Sequence, residues 1–286
     1  MKKITFKDKL IAQLLFFVFC FNSSIICNEN KPLLKDYGYN IYSQFGEGGI
    51  IEKIFEIIEK KSKTAIEFGA WDGIHLSNTA NLWMHQQWNA ILIESDPLRC
   101  MDLYTNTSKF PNVVSICKKV GITKDDSLEA ILKSYNISSD IDLLSIDIDG
   151  DDYYIFESLE NLKPRVIICE YNPTFPAHLD IYPESGQCVG CSVSALKRIA
   201  EQKGYELVAL TDVNCFFVIK EEFGKFKNVE TSFEKIKFDR YLRYIITDYQ
   251  GNYKIVTSPN FKECFGLVDP LKSKLLGNFK TWNFKK

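Results

Sequence analysis

The sequence predicts an α/β fold with a seven-stranded, mostly parallel sheet and an antiparallel strand near its C-terminal end. Short apolar runs alternate with helical patterns between residues 43 and 220, which is typical of a parallel sheet. Only residues 211–214 separate the last two apolar runs, and no crossover helix fits there, so these two strands should pair antiparallel. Hydrophobic residues make up 45% of the 286 residues and charged residues 25%, which excludes disordered, collagen-like and coiled-coil classes.

The elements are predicted in order from composition, from the periodicity of apolar residues and from helix-starting residues. Ser43 is a candidate helix cap, and Pro97 stands where a proline favours the first turn of a helix. The predicted strands are 64–68, 90–94, 113–120, 143–148, 165–169, 205–210 and 215–220. Helices are predicted at 43–61, 76–86, from 97 onwards, 127–135, 153–159 and 194–203. Beyond residue 221 the pattern assigns no element.

The first 27 residues differ in composition from the rest of the chain. Four lysines within the first nine residues precede an apolar run at 10–21, the order found in a secretory signal. An uncleaved signal anchor and a buried amphipathic helix stay open as alternatives, although the run is short for a spanning helix. We therefore predict that residues 1–27 direct the chain to the secretory pathway, where it is secreted or held at a membrane by this segment.

The remaining chain divides by charge. Residues 28–220 are predicted to form the folded domain, and residues 221–286 form a basic, aromatic C-terminal extension with 13 Lys/Arg against 8 Asp/Glu. That extension is either a solvated tail that packs by its aromatic rings or a surface for an anionic ligand. The formal net charge of the whole chain is −2, which argues against nucleic acid as a partner.

Cysteine is frequent, with nine residues in the chain. Seven lie outside the predicted leader, and this odd number means that not all of them pair within one chain. Cys188 and Cys191 form a Cys-x-x-Cys motif, which is compatible with a local disulfide in an exported protein and equally with two unpaired thiols. The motif is half of a zinc site, and the sequence shows no second half.

Polar residues follow the first two predicted strands. In an open α/β sheet the ligand lies at the carboxyl ends of the strands, so these residues are candidates for binding. Gly69 and Gly73 allow a tight turn, but their spacing is not the Gly-x-Gly-x-x-Gly pattern of NAD or FAD sites. Glu67, inside the first strand, suits a cationic or hydroxyl-rich ligand. Glu94 ends the second strand, where a carboxylate accepts hydrogen bonds from two ribose hydroxyls.

A group of acidic residues follows the fourth strand. Alternation along the strand places Asp147 and Asp149 on one face, and Glu170 and Asn172 end the neighbouring strand. Such crowding requires a cation, a metal ion or a proton to relieve it. Asp147, Glu170 and Asn172 offer only oxygen ligands, a set that suits Mg²⁺ or Ca²⁺, and mutual hydrogen bonding around a substrate is the alternative.

These segments together resemble a known family. The set of segments 67–73, 93–96 and 144–150 is similar to class I S-adenosylmethionine-dependent methyltransferases, which have a Rossmann-like fold. More narrowly, the Tyr-Ser-Gln-Phe-Gly-Glu segment at 42–47, with 149–154 and 169–172, resembles the FkbM-like group. The resemblance spans roughly residues 42–220. It departs from the glycine-rich loop of many methyltransferases, because three other residues, 70–72, separate Gly69 from Gly73.

The resemblance implies that the cofactor is S-adenosylmethionine, with the loop after the first strand on its methionine part and Glu94 on its ribose. The implied cofactor-binding residues are Glu67, Gly69, Asp72, Gly73, Glu94 and Asp96. The implied reaction is O-methylation of a small-molecule or glycan acceptor, with Asp147 and its neighbours facing the methyl group.

The general base is predicted among Asp147, Asp149 and Glu170, with His178 as a further candidate that also fits a plain surface residue. Two other classes stay open. One is an exported, non-catalytic binding protein that keeps the fold, and the other is a nucleotide-dependent oxidoreductase, which the missing glycine pattern disfavours.

Overall fold

A computed structural model of the chain describes residues 31–238, 240–242, 244–247, 249 and 253–256. The chain divides into two units, Met1–Pro32 and Leu33–Lys286. The predicted leader at 1–27 lies outside the described residues. Within the part that is described, no helix has the length and the apolar composition needed to cross a membrane.

A seven-stranded sheet forms the centre of the second unit and confirms the predicted fold class. The strands are β1 (Thr64–Phe68), β2 (Asn89–Glu94), β3 (Val113–Cys117), β4 (Leu143–Ile146), β5 (Val166–Glu170), β6 (Tyr205–Leu210) and β7 (Asn214–Ile219). Their order across the sheet is β3-β2-β1-β4-β5-β7-β6. β1 to β5 are parallel, and β7 runs antiparallel to both β5 and β6, as the short connection predicted. The strand order therefore switches direction between β1 and β4, which is where such sheets bind ligands.

One helix precedes β1, and the others lie between successive strands up to β6. They are α1 (Glu47–Ile58), α2 (Ala80–His85), α3 (Pro97–Thr107), α4 (Leu128–Ser134), α5 (Asp152–Ser158) and α6 (Val193–Gln202). The caps of α3, α4 and α6 are Asp96, Ser127 and Ser192, whose side chains accept backbone N–H bonds in the first turn.

Two predicted helices begin later in the structure. α1 starts at Glu47 because Gly46 has a left-handed backbone (φ +90°), and Ser43 instead accepts the N–H of Gly48 from outside the helix. α2 starts at Ala80 because residues 77–79 are hydrogen-bonded to a buried carboxylate, Glu67. The third strand also ends at Cys117, three residues before its predicted end.

The core lies on both faces of the sheet. One face packs against α1 through buried residues such as Ile54, Leu143 and Ile168. The other face, with Ile66, Ile146 and Ile167, packs against α4, α5 and α6. Strands covered on both sides are buried along almost their whole length, which is why the sequence showed continuous apolar runs there.

The residues after β7 are partly folded onto the domain. They form α7 (Lys220–Phe223), a 3₁₀ turn (Gly224–Phe226), α8 (Phe233–Ile236) and a hairpin of β8 (Tyr244–Thr247) and β9 (Tyr253–Val256). Phe226, Val229 and Ile236 are buried in the core clusters. The segment predicted as an extension from 221 thus contributes core residues at least as far as Ile236.

One disulfide is present in the described part of the chain, between Cys100 on α3 and Cys117 at the end of β3. Cys188 and Cys191 are both free thiols, so the second of the two alternatives for the Cys-x-x-Cys motif applies. Cys169 and Cys215 are also free, and they are buried side by side on paired strands β5 and β7.

Candidate functional site

A cavity of about 340 Å³ opens at the carboxyl edge of the sheet, around the switch between β1 and β4. Its volume lies within the range of small-molecule sites. The ends of β1, β2, β4 and β5, the residues after β3 and the start of α3 supply its walls. Of the residues predicted from sequence, the wall includes Glu67, Gly69, Glu94, Asp147, Asp149 and Glu170.

The loop after β1 is shaped by close contact with the loop after β4. Gly69 has a φ of +73°, and a Cβ atom there would lie 1.6 Å from the carbonyl oxygen of Asp147. Gly73 also has a positive φ, but it packs against Leu103 and does not line the cavity. Asp72 accepts the N–H groups of Ile74 and His75 through its Oδ1 atom, closing a turn. Gly73 and Asp72 therefore shape the loop from outside the cavity.

Glu94 is buried at the end of β2, with its carboxylate already engaged. Its Oε1 atom accepts the N–H groups of Ser95 (2.7 Å) and Asp96 (2.8 Å), and its Oε2 atom accepts the N–H of Trp71 (2.8 Å). The hydroxyl of Ser95 also donates to Oε1 at 3.4 Å, so the position left for a ligand hydroxyl is on Oε2, one rather than the two that the sequence suggested. Asp96 caps α3 through the N–H groups of Leu98 and Arg99 and does not line the cavity.

Glu67 lies deeper, with 5% of its surface exposed. It accepts hydrogen bonds from the hydroxyls of Ser77 and Thr79 and from the N–H of Asn78. Burial raises the pKa of Glu67, although these hydrogen bonds act in the opposite direction. The carboxylate therefore fastens the 77–79 segment under the cavity, and its bonds leave little acceptor capacity for a ligand.

Three carboxylates meet where the cavity reaches β4 and β5. One oxygen of each of Asp147, Asp149 and Glu170 lies within 4.8 Å of the others. Burial, and then the negative charge of Glu170, raise the pKa of Asp147 well above its usual value. The pKa of Glu170 is also raised, by burial and by the charges of Asp152 and Asp149, even though a hydrogen bond with Asp147 opposes the shift. Two ionised carboxylates at this distance repel each other, so both shifts favour a proton on one of the pair.

Asp152 holds the loop that carries this cluster. Asp152 is the first residue of α5. Its two carboxylate oxygens accept the N–H groups of Ile148 (2.8 Å) and Gly150 (2.9 Å) in the preceding loop. Between them Asp149 adopts a left-handed backbone with a φ of +59° and stays exposed. These two hydrogen bonds fix the loop so that Asp149 lies beside Glu170.

Asn172, predicted as a metal ligand, has another role. Its Oδ1 atom accepts the N–H and hydroxyl of Thr174, and its Nδ2 atom donates to the carbonyl of Val189 at 2.7 Å. The side chain thus joins the loop after β5 to the 188–190 segment. The third side chain beside Asp147 and Glu170 is therefore Asp149, in the place that the sequence analysis gave to Asn172.

A second, smaller cavity of about 190 Å³ adjoins the first. Asp149 and Glu170 line both cavities, so the carboxylates stand between them. The rest of its wall comes from the joined loops, residues 171–173 and 188–190, and includes the exposed thiol of Cys188. His178 is exposed and lines neither cavity, which agrees with its interpretation as a surface residue.

The Tyr-Ser-Gln-Phe-Gly-Glu segment reaches the site from the N-terminal side. Gln44 lines the larger cavity, and its N–H donates to the fully buried Glu47. Glu47 also accepts hydrogen bonds from Thr211 and Asn214, at the turn between β6 and β7. Burial raises the pKa of Glu47 to about 7. The segment therefore connects α1 to the edge of the sheet where Asn214 pairs with Glu170.

Sequence reasoning missed the cationic side of the larger cavity. Arg99, Lys118 and Lys119 line it, together with His75 and Trp71. The two lysines directly follow β3, so the rule that ligands lie at the carboxyl ends of strands would have found them. No local signal marks Arg99, because its place depends on how α3 packs beside the loop after β1.

The strand order and the cavity at its switch point define a Rossmann-like α/β domain with a ligand-sized cavity lined by both acidic and basic side chains. Solved structures that are similar to this chain include proteins described as O-methyltransferases and one bound to S-adenosylhomocysteine. No family model matches the chain, and no curated protein matches it.

Three of these structures illustrate the likeness. TrmK of M. capricolum with S-adenosylhomocysteine is 14% identical, with 58% of this chain and 66% of that chain covered and a TM-score of 0.37. A putative O-methyltransferase from Klebsiella pneumoniae is 12% identical, with 63% and 82% covered and a TM-score of 0.41. An O-methyltransferase family protein from Burkholderia thailandensis is 9% identical, with 59% and 55% covered and a TM-score of 0.38. The fold of this chain is defined by its own sheet rather than by these scores.

Proposed function

We propose that the chain is an S-adenosylmethionine-dependent methyltransferase of the FkbM-like type that methylates a hydroxyl group of a sugar or another small molecule. The observation that carries the proposal is the single cavity that joins Glu94 to the Asp147–Glu170 pair. Titration of the full chain with S-adenosylmethionine and with NADH by calorimetry tests it. Binding of S-adenosylmethionine alone supports the proposal, binding of NADH alone favours an oxidoreductase, and binding of neither favours a non-catalytic protein.

The residues present fit this cofactor. S-adenosylmethionine carries a positive sulfonium and an ammonium group, and the cavity wall presents carboxylates from β2, β4 and β5. Glu94 has one acceptor position left for a ribose hydroxyl. The bound cofactor supplies an activated methyl group.

The chain's own residues would position the acceptor and take its proton. The smaller cavity lies on the far side of Asp149 and Glu170 and is the proposed acceptor site. Its wall contains carboxylates and an amide, which suit a ligand with several hydroxyl donors. The pKa of both Asp147 and Glu170 is raised, and once the pair has given up the proton that it retains, its carboxylate can accept the proton of the acceptor hydroxyl. Alignment of the two reactants then supplies most of the rate enhancement.

Replacing Glu94 with Ala should weaken S-adenosylmethionine binding by roughly 10-fold or more, because a charge-assisted hydrogen bond to the ribose disappears. Calorimetric titration of the full chain measures the change. Asp96→Ala is the matched control: it removes the cap of α3 and should lower stability by about 1 kcal/mol while leaving cofactor affinity unchanged. Unchanged affinity in Glu94→Ala would remove this residue from the ribose site.

We also propose that residues 1–27 direct the chain into the secretory pathway, as a cleaved signal or as a membrane anchor. The disulfide between Cys100 and Cys117 supports this proposal, since such bonds persist in oxidising compartments. A reporter fused after Asn30 should be exported or membrane-bound. A reporter that stays soluble in the cytosol would defeat the proposal.

A further inference from the structure

The larger cavity has two sides of opposite charge. Carboxylates line its β1, β4 and β5 side, whereas Arg99, Lys118 and Lys119 line the side near β2 and β3. Across the described residues, none of these three cations has a carboxylate oxygen within 4.0 Å. The nearby carboxylate of Asp126 is held by the amide and hydroxyl of Thr123. Lys118 lies 5.5 Å from the ring centre of Tyr135, a contact that does not neutralise its charge. Cations without a carboxylate partner around a cavity leave it able to receive an anion.

The three cations lie beside Glu94 rather than beside the acidic cluster. The backbone N–H of Lys118 donates to the carbonyl of Glu94 at 2.8 Å. The guanidinium of Arg99 lies 3.8 Å from the ring centre of Trp71. The backbone N–H of Trp71 in turn donates to the Glu94 carboxylate. The charge of Glu94 itself is met by three backbone N–H groups, so it offsets the cations only in part.

A covalent link holds this arrangement. Cys100 follows Arg99 in α3, and Cys117 precedes Lys118 at the end of β3, and the two cysteines form the disulfide. The cross-link therefore joins the two segments at the very positions next to the cationic side chains. Fixing both segments lowers the entropy that is lost when the side chains converge on one ligand.

We infer that Arg99, Lys118 and Lys119 form an anion subsite that binds a phosphate on the ribose of a nucleotide ligand. Glu94 has room for one ribose hydroxyl, so the other ribose position is free to carry a phosphate toward the cations. Arg99 in the first turn of α3 and the two lysines after β3 offer the charged N–H donors that suit a phosphate. The placement of the ribose rests on the proposed function, but the phosphate does not, because S-adenosylmethionine carries none.

Calorimetric titrations of the full chain at low ionic strength test the inference with adenosine, 2′-AMP, 3′-AMP, 5′-AMP and inorganic phosphate. We expect 2′-AMP or 3′-AMP to bind roughly 10-fold more tightly than adenosine, because charge-assisted hydrogen bonds are added. The gain should shrink when salt is raised, as expected for exposed charges. A 5′-phosphate would point toward Asp147 and Glu170, so 5′-AMP should show no gain.

Variants assign the gain to the subsite. Lys118→Gln and Lys119→Gln should each lower the affinity for the preferred nucleotide about 3- to 10-fold and leave adenosine unchanged. Lys124→Gln, an exposed lysine outside the cavity, is the matched control and should change neither affinity. The double change Cys100→Ser with Cys117→Ser should keep adenosine binding and lose most of the phosphate gain.

Three outcomes would overturn the inference. They are equal binding of adenosine and both ribose phosphates, a gain that survives the combined Lys118→Gln and Lys119→Gln change, and inorganic phosphate as tight as the nucleotide. The same variants titrated with S-adenosylmethionine keep the two proposals apart. If the unmodified chain does not bind S-adenosylmethionine, the proposed methyltransferase function is contradicted. If it binds ribose phosphates no more tightly than adenosine, only the anion subsite is contradicted.

Discussion

Replacing Asp147 with Asn should lower methyl-transfer turnover by roughly 10²- to 10⁴-fold while the fold and S-adenosylmethionine affinity are retained. The change keeps the volume of the side chain and removes its charge and its proton-accepting ability. Turnover is measured as release of S-adenosylhomocysteine in the presence of a panel of sugars. Because burial and Glu170 raise the pKa of Asp147, the unmodified chain should turn over faster as the pH rises above neutrality and the pair gives up its proton.

Asp140→Asn provides the control for this result. Asp140 is an exposed aspartate that precedes β4, lies outside both cavities, and should leave turnover unchanged when replaced. A crystal structure with bound cofactor should place the sulfonium methyl group beside Asp147 and Glu170. A methyl group that points away from this pair, or an Asp147→Asn variant with full turnover, would contradict the catalytic assignment.

The same assay decides between a proton and a metal ion at the cluster. Asp147, Asp149 and Glu170 are oxygen ligands of the type that Mg²⁺ accepts. The raised pKa of both Asp147 and Glu170, caused by burial and by the neighbouring carboxylates, favours a proton there instead. Turnover should therefore persist in the presence of a chelator. Loss of activity with a chelator and its return with Mg²⁺ would support the metal interpretation.

Replacing Arg165 with Met should lower the free energy of unfolding by about 3–5 kcal/mol. Arg165 is buried before β5 and bonds to Asp142 at 2.9 Å and to Glu222 at 2.7 Å. It also donates to the carbonyl oxygens of Ile58 and Glu59 at the end of α1. The substitution removes the positive charge beside the buried carboxylates of Asp142 and Glu222, which water reaches poorly. Urea unfolding of the full chain measures the loss.

The matched control is Arg198→Met. Arg198 forms an ion pair with Asp180 on the surface. The side chains of Arg198 and Asp180 are 35% and 42% exposed. Such pairs contribute about 1 kcal/mol or less. Arg165→Met destabilising the chain no more than Arg198→Met would contradict a structural role for the buried network.

Glu222 makes this network sensitive to acid. Burial alone would raise the pKa of Glu222, but hydrogen bonds from Lys225, Arg165 and Lys61 outweigh it and lower the pKa to about 2. A lowered pKa in the folded state means that the contribution is present above the ordinary value of 4.5 and is lost as the pH falls toward 2. The unfolding free energy should therefore decrease over that range, and decrease less in Arg165→Met.

Most of the fold could be predicted from the sequence because its signals are local. Apolar runs such as 143–146 and 166–169 are continuous since both faces of their strands are covered. The connection at 211–214 is too short for a helix, and it turned out to join an antiparallel pair. The errors lie at the ends of elements, as where Gly46 delays α1, because a boundary depends on hydrogen bonds made by residues outside the element.

Part of the candidate site could also be predicted. Glu94, Asp147 and Glu170 end parallel strands, and parallel strands bring their carboxyl ends to one edge. The partners that engage Glu94 could not be predicted, because Trp71 meets it through the path of a loop. The same holds for Asn172, which is drawn to Thr174 and Val189 and away from the carboxylates.

The sequence by itself determined the layers of this protein, the direction of its last strands and the acidic residues at the sheet edge. The period of a strand and the length of a connection are properties of neighbouring residues, so no distant contact is needed to predict them. Only the tertiary structure decided that Cys100 pairs with Cys117, that Arg99 and Lys118 share one cavity wall, and that Asn172 donates to Val189. Those contacts join residues on different loops, whose approach is set by packing across the whole sheet and not by spacing along the chain.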